Sequence, residues 1–163
     1  MTGIYLSLGS NVGERGENIA RAIAALAGFG VRVVKRSALY ETEPVEMREP
    51  EWFLNCVVEA QTDLPPRELM RALLEIERSL GRERTASVTR KLPRIIDLDI
   101  LFYGSDVIRE AGLEIPHPRM AERRFVLVPL AEIAPGVMHP VLKKTVREVL
   151  LETNDRSEVR LFS

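Results

Sequence analysis

Asp97-Leu98-Asp99 is the sharpest chemical signal in the 163-residue chain. It sits in a run, Ile95 to Tyr103, that reads as a β-strand. Residues i and i+2 of a strand point to one side, so Asp97 and Asp99 project together while Ile96, Leu98 and Ile100 face a core. Two neighbouring carboxylates repel unless a cation lies between them. All-oxygen ligation suits Mg²⁺, which keeps several waters and takes substrate phosphates as further ligands. The competing reading is an exposed strand whose outer face is acidic.

The surrounding charge favours phosphate. Arg78, Arg82, Arg84, Arg90, Lys91 and Arg94 face one acid, Glu83, giving a net +5 over 17 residues that lead into Asp97. Guanidinium forks match phosphate oxygens two at a time, although such a run is also what a solvated loop looks like. Carboxylates for a metal beside arginines for phosphate describe a nucleoside triphosphate site. Gly9-Ser10-Asn11 is not followed by Gly-Lys-Ser/Thr, so no Walker A cradle is present, and no kinase signature set appears.

A second group can hold a flat heterocycle. Between Phe53 and Gln61, the residues Leu54, Cys56, Val58 and Ala60 share an apolar face, and Phe53, Asn55, Val57 and Glu59 share the other. A ring stacked on Phe53 would have its edge beside the Asn55 amide; a sheet edge is the alternative. His117 stands between two prolines, which suits a ligand-facing imidazole as well as an idle loop residue. His139 and Cys56 carry no such context. Cys56 falls on the core face with no basic partner evident.

These pieces lie in a longer pattern: LSLGSNVG, YETEP, FLN, EIERSLGRER, PRIIDLDILFYG and IPHPRMAERRFVLVPLAEIAP, in that order and over almost the whole chain. Together they resemble the 6-hydroxymethyl-7,8-dihydropterin pyrophosphokinase family of folate biosynthesis. The resemblance implies transfer of pyrophosphate from ATP to the hydroxymethyl oxygen of the pterin, by attack on the β-phosphorus with release of AMP. It implies two Mg²⁺ ions bridged by Asp97 and Asp99, and Arg82 and Arg84 in a loop that clamps the phosphates. Arg94, His117 and Arg123 match phosphate-contacting positions, and Glu77 matches one that supports the ATP site. Phe53 and Phe125 match two rings that sandwich the pterin, and Asn55 the amide that reads its edge. Thr42, Pro44 and Val45 match a loop closing one side of that pocket, and Gly9, Ser10 and Asn11 a motif that shapes it. Lys91-Leu92 stands where many members have Trp-Gly, and Glu43 where some have proline.

The elements that must position these residues read as β-α-β-β-α-β. A strand at Ile4–Leu8, a helix over Ile19–Phe29, a strand at Val31–Val34, the strand at 53–61, a helix from Pro65 to Gly81 and the strand at 95–103 make up the core. Met70, Leu73, Leu74, Glu77 and Leu80 are the expected buried face of the second helix, and Ser37–Glu51 reads as loop. Phe125–Glu132 is a short helix or strand, and Thr145–Leu151 a C-terminal helix. The order is the ferredoxin-like, split-βαβ pattern: an α+β fold with two helices on one face of an antiparallel sheet, the other face free for ligands, and a C-terminal extension.

Composition sets the remaining bounds. Hydrophobic residues make up 45% and charged residues 29%, with a net charge of −1. That excludes a disordered or collagenous chain and argues against general nucleic-acid binding. The single cysteine fits a reducing compartment. No basic n-region or long apolar run appears. The expectation is one domain over residues 1–163, monomeric and cytoplasmic, with no membrane or nucleic-acid partner. Two other functions share these features: a different Mg²⁺-dependent phosphotransferase or nucleotidyl hydrolase, and a non-catalytic ferredoxin-like binding module.

Overall fold

The computed structural model describes residues 1–43, 52–81 and 95–162. Its strands are β1 (Thr2–Ser10), β2 (Val31–Arg36), β3 (Tyr40–Thr42), β4 (Phe53–Thr62), β5 (Asp97–Tyr103), β6 (Ile108–Glu110), β7 (Leu113–Ile115) and β8 (Val159–Leu161). Its helices are α1 (Arg15–Ala27), α2 (Pro66–Gly81), α3 (Arg124–Ile133) and α4 (Val146–Glu152). The main sheet runs β5-β1-β4-β3-β8, with β2 also paired to β4. β6 and β7 form a separate hairpin.

The topology follows from who lies between whom. β4 is antiparallel to both β1 and β2, so these two are parallel and α1 crosses over between them. β1 in turn separates β4 from β5, and α2 makes the second crossover. Two interlocked split-βαβ units result, as the element order predicts. β4 is therefore an interior strand, not a sheet edge. Its ten residues are long enough for β2 to pair with one end and β3 with the other.

The alternation read in β4 holds: Leu54, Cys56, Val58 and Ala60 are all buried beneath α1 and α2. Burial pushes the Cys56 thiol up to about 12, so it is a packed apolar side chain. The buried stripe of α2 shares Leu73 with the expected one, and Met70 and Leu80 pack against the core, but the rest of it differs. It is Leu69, Ala72, Leu73 and Ile76, while Leu74 is 48% exposed. Both sets have helical spacing; the direction from which the sheet approaches selects between them.

The opposite sheet face is not wholly free, which corrects the sequence expectation. Phe125–Glu132 lies within helix α3, which packs with α4 over Val57 and Phe102 in a second apolar cluster. Thr145 caps α4 through a reciprocal capping box with Glu148. Short strands also lie where none was expected: β3 inside the 37–51 loop, the β6–β7 hairpin, and β8 near the C-terminus. His139 fills a buried loop position, where its Nδ1 accepts the backbone N–H groups of Val141 and Leu142 and its ring meets Phe102 edge-on. Among the described residues, no helix is long and apolar enough to cross a membrane.

Candidate active site

The uncovered half of that face holds a cleft of about 560 Å³, a size suited to a small-molecule ligand. Sheet register brings its floor together. On β4, β1 and β5, the residues Asn55, Gly9 and Asp97 stand side by side in one row, and Val57, Ser7 and Asp99 form the next. The carboxylates thus sit one strand away from the amide, with only a glycine and a serine between. Both aspartates are partly buried, while Ile96, Leu98 and Ile100 beside them are buried in the core.

Gly9 is required by contact, not by backbone freedom. A Cβ at this position would lie 2.8 Å from Asn55 Oδ1. The missing side chain lets the amide oxygen lie against β1, while Nδ2 donates to Thr42 Oγ1 of β3 at 3.2 Å. The turn after Gly9 is secured by Asn18 of α1, whose Nδ2 donates to Ser10 Oγ and to the Val12 carbonyl.

Glu77 braces the carboxylate strand. β5 is the sheet edge, and Glu77 Oε2 accepts the Leu98 N–H at 2.7 Å, at the residue between the two aspartates. A helix side chain so satisfies a backbone N–H at the edge of the sheet.

The far wall comes from residues 119–125. Arg119 precedes a short 3-10 turn, Met120–Glu122, which Glu122 ends, and Arg123 precedes α3. All three line the cleft, with Phe125 beside them. The Arg123 guanidinium lies 5.5 Å from the centre of the Phe125 ring. Asp155 and Ser157 also line it. Burial alone would raise the Asp155 pKa, but hydrogen bonds from Ser157 and from the Arg124 backbone hold it below its ordinary value.

His117 borders an adjoining cleft of about 380 Å³ rather than the first one. Its Nδ1 accepts the Arg119 N–H at 3.1 Å, which leaves Nε2 to carry the proton of the neutral ring. Burial lowers its pKa, opposed first by the negative charge of Asp99. His139 is lowered by burial as well. Both rings therefore bind a proton less readily folded than unfolded. From about 6.5 downward the unfolded chain holds more protons, so stability falls as pH drops through that window and is complete above it. The midpoint of urea unfolding should decline from about pH 7 to about pH 5.5, and His139→Gln should flatten part of that decline. An unchanged slope in the variant would refute the assignment to His139.

Thr42, Phe53, Asn55, Asp97, Asp99, Arg123 and Phe125 are thus brought to one cleft, with Glu77 behind its carboxylate strand. Pro44, Val45, Arg82, Arg84 and Arg94 lie outside the described residues. Sequence reasoning missed Arg119, Glu122, Asp155, Ser157 and the brace from Asn18. Arg119 was within reach, two positions after His117. Asp155 carried no local signal.

The donor set fits Mg²⁺. Two carboxylates share one face with room above Gly9 and Ser7, and among the described residues no cluster of three or more ligating side chains gathers. Two protein carboxylates completed by water and substrate oxygens is the pattern this ion prefers.

A family model described as 7,8-dihydro-6-hydroxymethylpterin-pyrophosphokinase matches residues 5–135. The chain belongs to this family. The 2-amino-4-hydroxy-6-hydroxymethyldihydropteridine pyrophosphokinase of Methylorubrum extorquens is 45% identical over 151 residues, covering 92% of this chain and 92% of that one. The pyrophosphokinase of the same description from Bacillus subtilis is 46% identical over 134 residues, covering 82% of this chain and 78% of that one. A folic acid synthesis protein of Pneumocystis carinii is 46% identical over 138 residues, which are 85% of this chain but 18% of that protein. The chain thus spans about a fifth of the length of such longer relatives. A crystal structure of wild-type Plasmodium falciparum HPPK-DHPS with SDX-DHP superposes at a TM-score of 0.69 and 18% identity, covering 93% of this chain and 43% of that one. The same protein with pteroate gives a TM-score of 0.73 at 16% identity, covering 93% and 44%. At such identities the likeness speaks for the fold alone, and it is the α+β fold derived above.

Proposed function

We propose that the chain transfers pyrophosphate from ATP to 6-hydroxymethyl-7,8-dihydropterin, giving the pterin diphosphate and AMP in folate synthesis. The observation that carries this reading is the register row Asn55–Gly9–Asp97, with the Asn55 amide and the Asp97 and Asp99 carboxylates on either side of β1 in a single cleft.

Each residue then has a task. Phe53 and Phe125 stack on the pterin from opposite walls, Asn55 bonds to its edge, and Thr42 holds the Asn55 amide in place. Pro44 and Val45 complete that wall. Asp97 and Asp99 would hold Mg²⁺, two ions by family resemblance, which when bound neutralises the phosphate oxygens. Arg123, with Arg82, Arg84 and Arg94, binds the triphosphate, and His117 contributes a hydrogen bond from the adjoining cleft. Glu77 keeps both carboxylates in place through Leu98. Positioning and charge neutralisation account for most catalysis in phosphoryl transfer. One domain over residues 1–163, acting as a cytoplasmic monomer without nucleic acid, completes the reading.

Phosphorus NMR of the protein with ATP, Mg²⁺ and the pterin tests it. AMP and a pterin diphosphate should appear only when the pterin is present. ADP, or phosphate released without pterin, would replace this function with another Mg²⁺-dependent phosphotransferase or hydrolase. No reaction would favour a binding module.

A further inference from the structure

The family match ends at residue 135, yet one wall of the cleft is built from residues well beyond it, Asp155 and Ser157. Asp155 joins two parts of the molecule. Its Oδ2 accepts the Arg124 N–H at 2.8 Å, and its Oδ1 accepts the Ser157 N–H at 2.9 Å and hydroxyl at 2.6 Å. The first bond matters because Arg123, at the N-cap of α3, offers no side-chain cap. The opening turn of a helix has backbone donors without helical partners. Asp155 satisfies one of them from 31 residues away. Phe125 stands in that same turn.

The chain then continues into β8, which grips the opposite wall. Val159 pairs with Thr42, and Leu161 with Tyr40. The Glu43 N–H donates to the Glu158 carbonyl, and the Glu158 N–H donates to Glu43 Oε1 at 2.9 Å. The Arg160 guanidinium stacks 4.1 Å from the centre of the Trp52 ring and pairs with Glu41 at 3.3 Å. Trp52 directly precedes Phe53, and Thr42 is the register partner of Phe53.

We propose that residues 153–162 are a strap that sets the spacing between the Phe125 wall and the Phe53–Thr42 wall, with Asp155 and Arg160 as positioning residues for the heterocyclic substrate. This rests on the pterin reading above. The strap bonds to the two ring-bearing walls, so its effect falls mainly on the pterin; Arg123, on one of those walls, carries only a minor part of it to the triphosphate.

Steady-state kinetics of the full chain, with each substrate varied in turn, tests this. Asp155→Ala should raise KM for the pterin about tenfold, the size of one lost charge-assisted hydrogen bond, with kcat and KM for ATP within about twofold. Asp155→Asn retains an acceptor oxygen for Arg124 and should recover part of the loss. Arg160→Ala alters a side chain that is 54% exposed; it should fold normally and raise KM for the pterin in the same selective way. Unchanged pterin KM in both alanine variants would overturn the strap. So would an equal rise in both KM values, or a lowered unfolding midpoint with both KM values intact. Wild-type protein that makes no AMP with the pterin would instead overturn the function, and the strap's role with it.

Discussion

Asp97→Ala and Asp99→Ala should each cut pyrophosphate transfer by about 10³-fold or more, with no recovery at saturating Mg²⁺. The two carboxylates occupy adjacent rows on one sheet face, and β1 presents only Gly9 and Ser7 opposite them. Among the described residues no third ligating side chain is clustered there to take over. The fold should survive, because the buried side chains of this strand are Leu98, Ile100, Leu101, Phe102 and Tyr103. Removing one of two like charges should leave the unfolding midpoint in metal-free buffer near that of the wild type. Turnover and Mn²⁺ binding, followed by electron paramagnetic resonance, read the two effects separately. Wild-type turnover in both variants would refute the metal assignment and leave catalysis to groups other than the aspartates. Loss of turnover together with collapse of the fold would make the aspartates structural.

The second large effect is expected from adding a single methyl group. In Gly9→Ala the new Cβ would lie 2.8 Å from Asn55 Oδ1, closer than van der Waals contact permits. Asn55 is only 7% exposed and is tied to Thr42, so its amide has little room to retreat. The side chain must turn from its place in the cleft, where the proposed function has it meet the pterin edge. KM for the pterin should rise by about 10–100-fold, the cost of leaving buried polar groups unpaired, while KM for ATP changes little. Asn55→Ala should behave alike. If both variants act through the same amide, the double variant should be no worse than the stronger single one. Additive losses would mean that Gly9 shapes the cleft in some other way. A pterin KM unchanged in all three would remove Asn55 from the site and favour an enzyme that uses the metal and arginines without a pterin.

These two sites differ in how far the chain itself announced them. The Asp-Leu-Asp spacing and the alternation along Phe53–Thr62 are local properties. A two-residue period decides which side chains share a face, whatever the rest of the molecule does. The element order, the opposed faces of β4 and the pairing of Asp97 with Asp99 are therefore legible in the order of residues alone. A helix period is less decisive. Leu74 and Leu69 both fit an apolar stripe on α2, and only the approach of the sheet chose Leu69.

What was illegible was short or distant. β3, β6, β7 and β8 are three residues each, too short to show a period; each exists because a partner strand supplies its hydrogen bonds. The helices over half of the second sheet face were legible at best as segments, and nothing local told where they would dock.

Local residue order thus accounts for the strands of the core, their inward and outward faces, the carboxylate pair and the family pattern that binds them together. Long-range packing alone accounts for the row shared by Asn55, Gly9 and Asp97, for the backbone N–H that Glu77 satisfies at the β5 edge, and for the capping of a helix by Asp155 from 31 residues further along the chain. The reason is one of range. Backbone geometry fixes side-chain direction within a few residues, whereas strand register, edge satisfaction and capping from afar depend on which segments meet, and packing of the whole chain settles that.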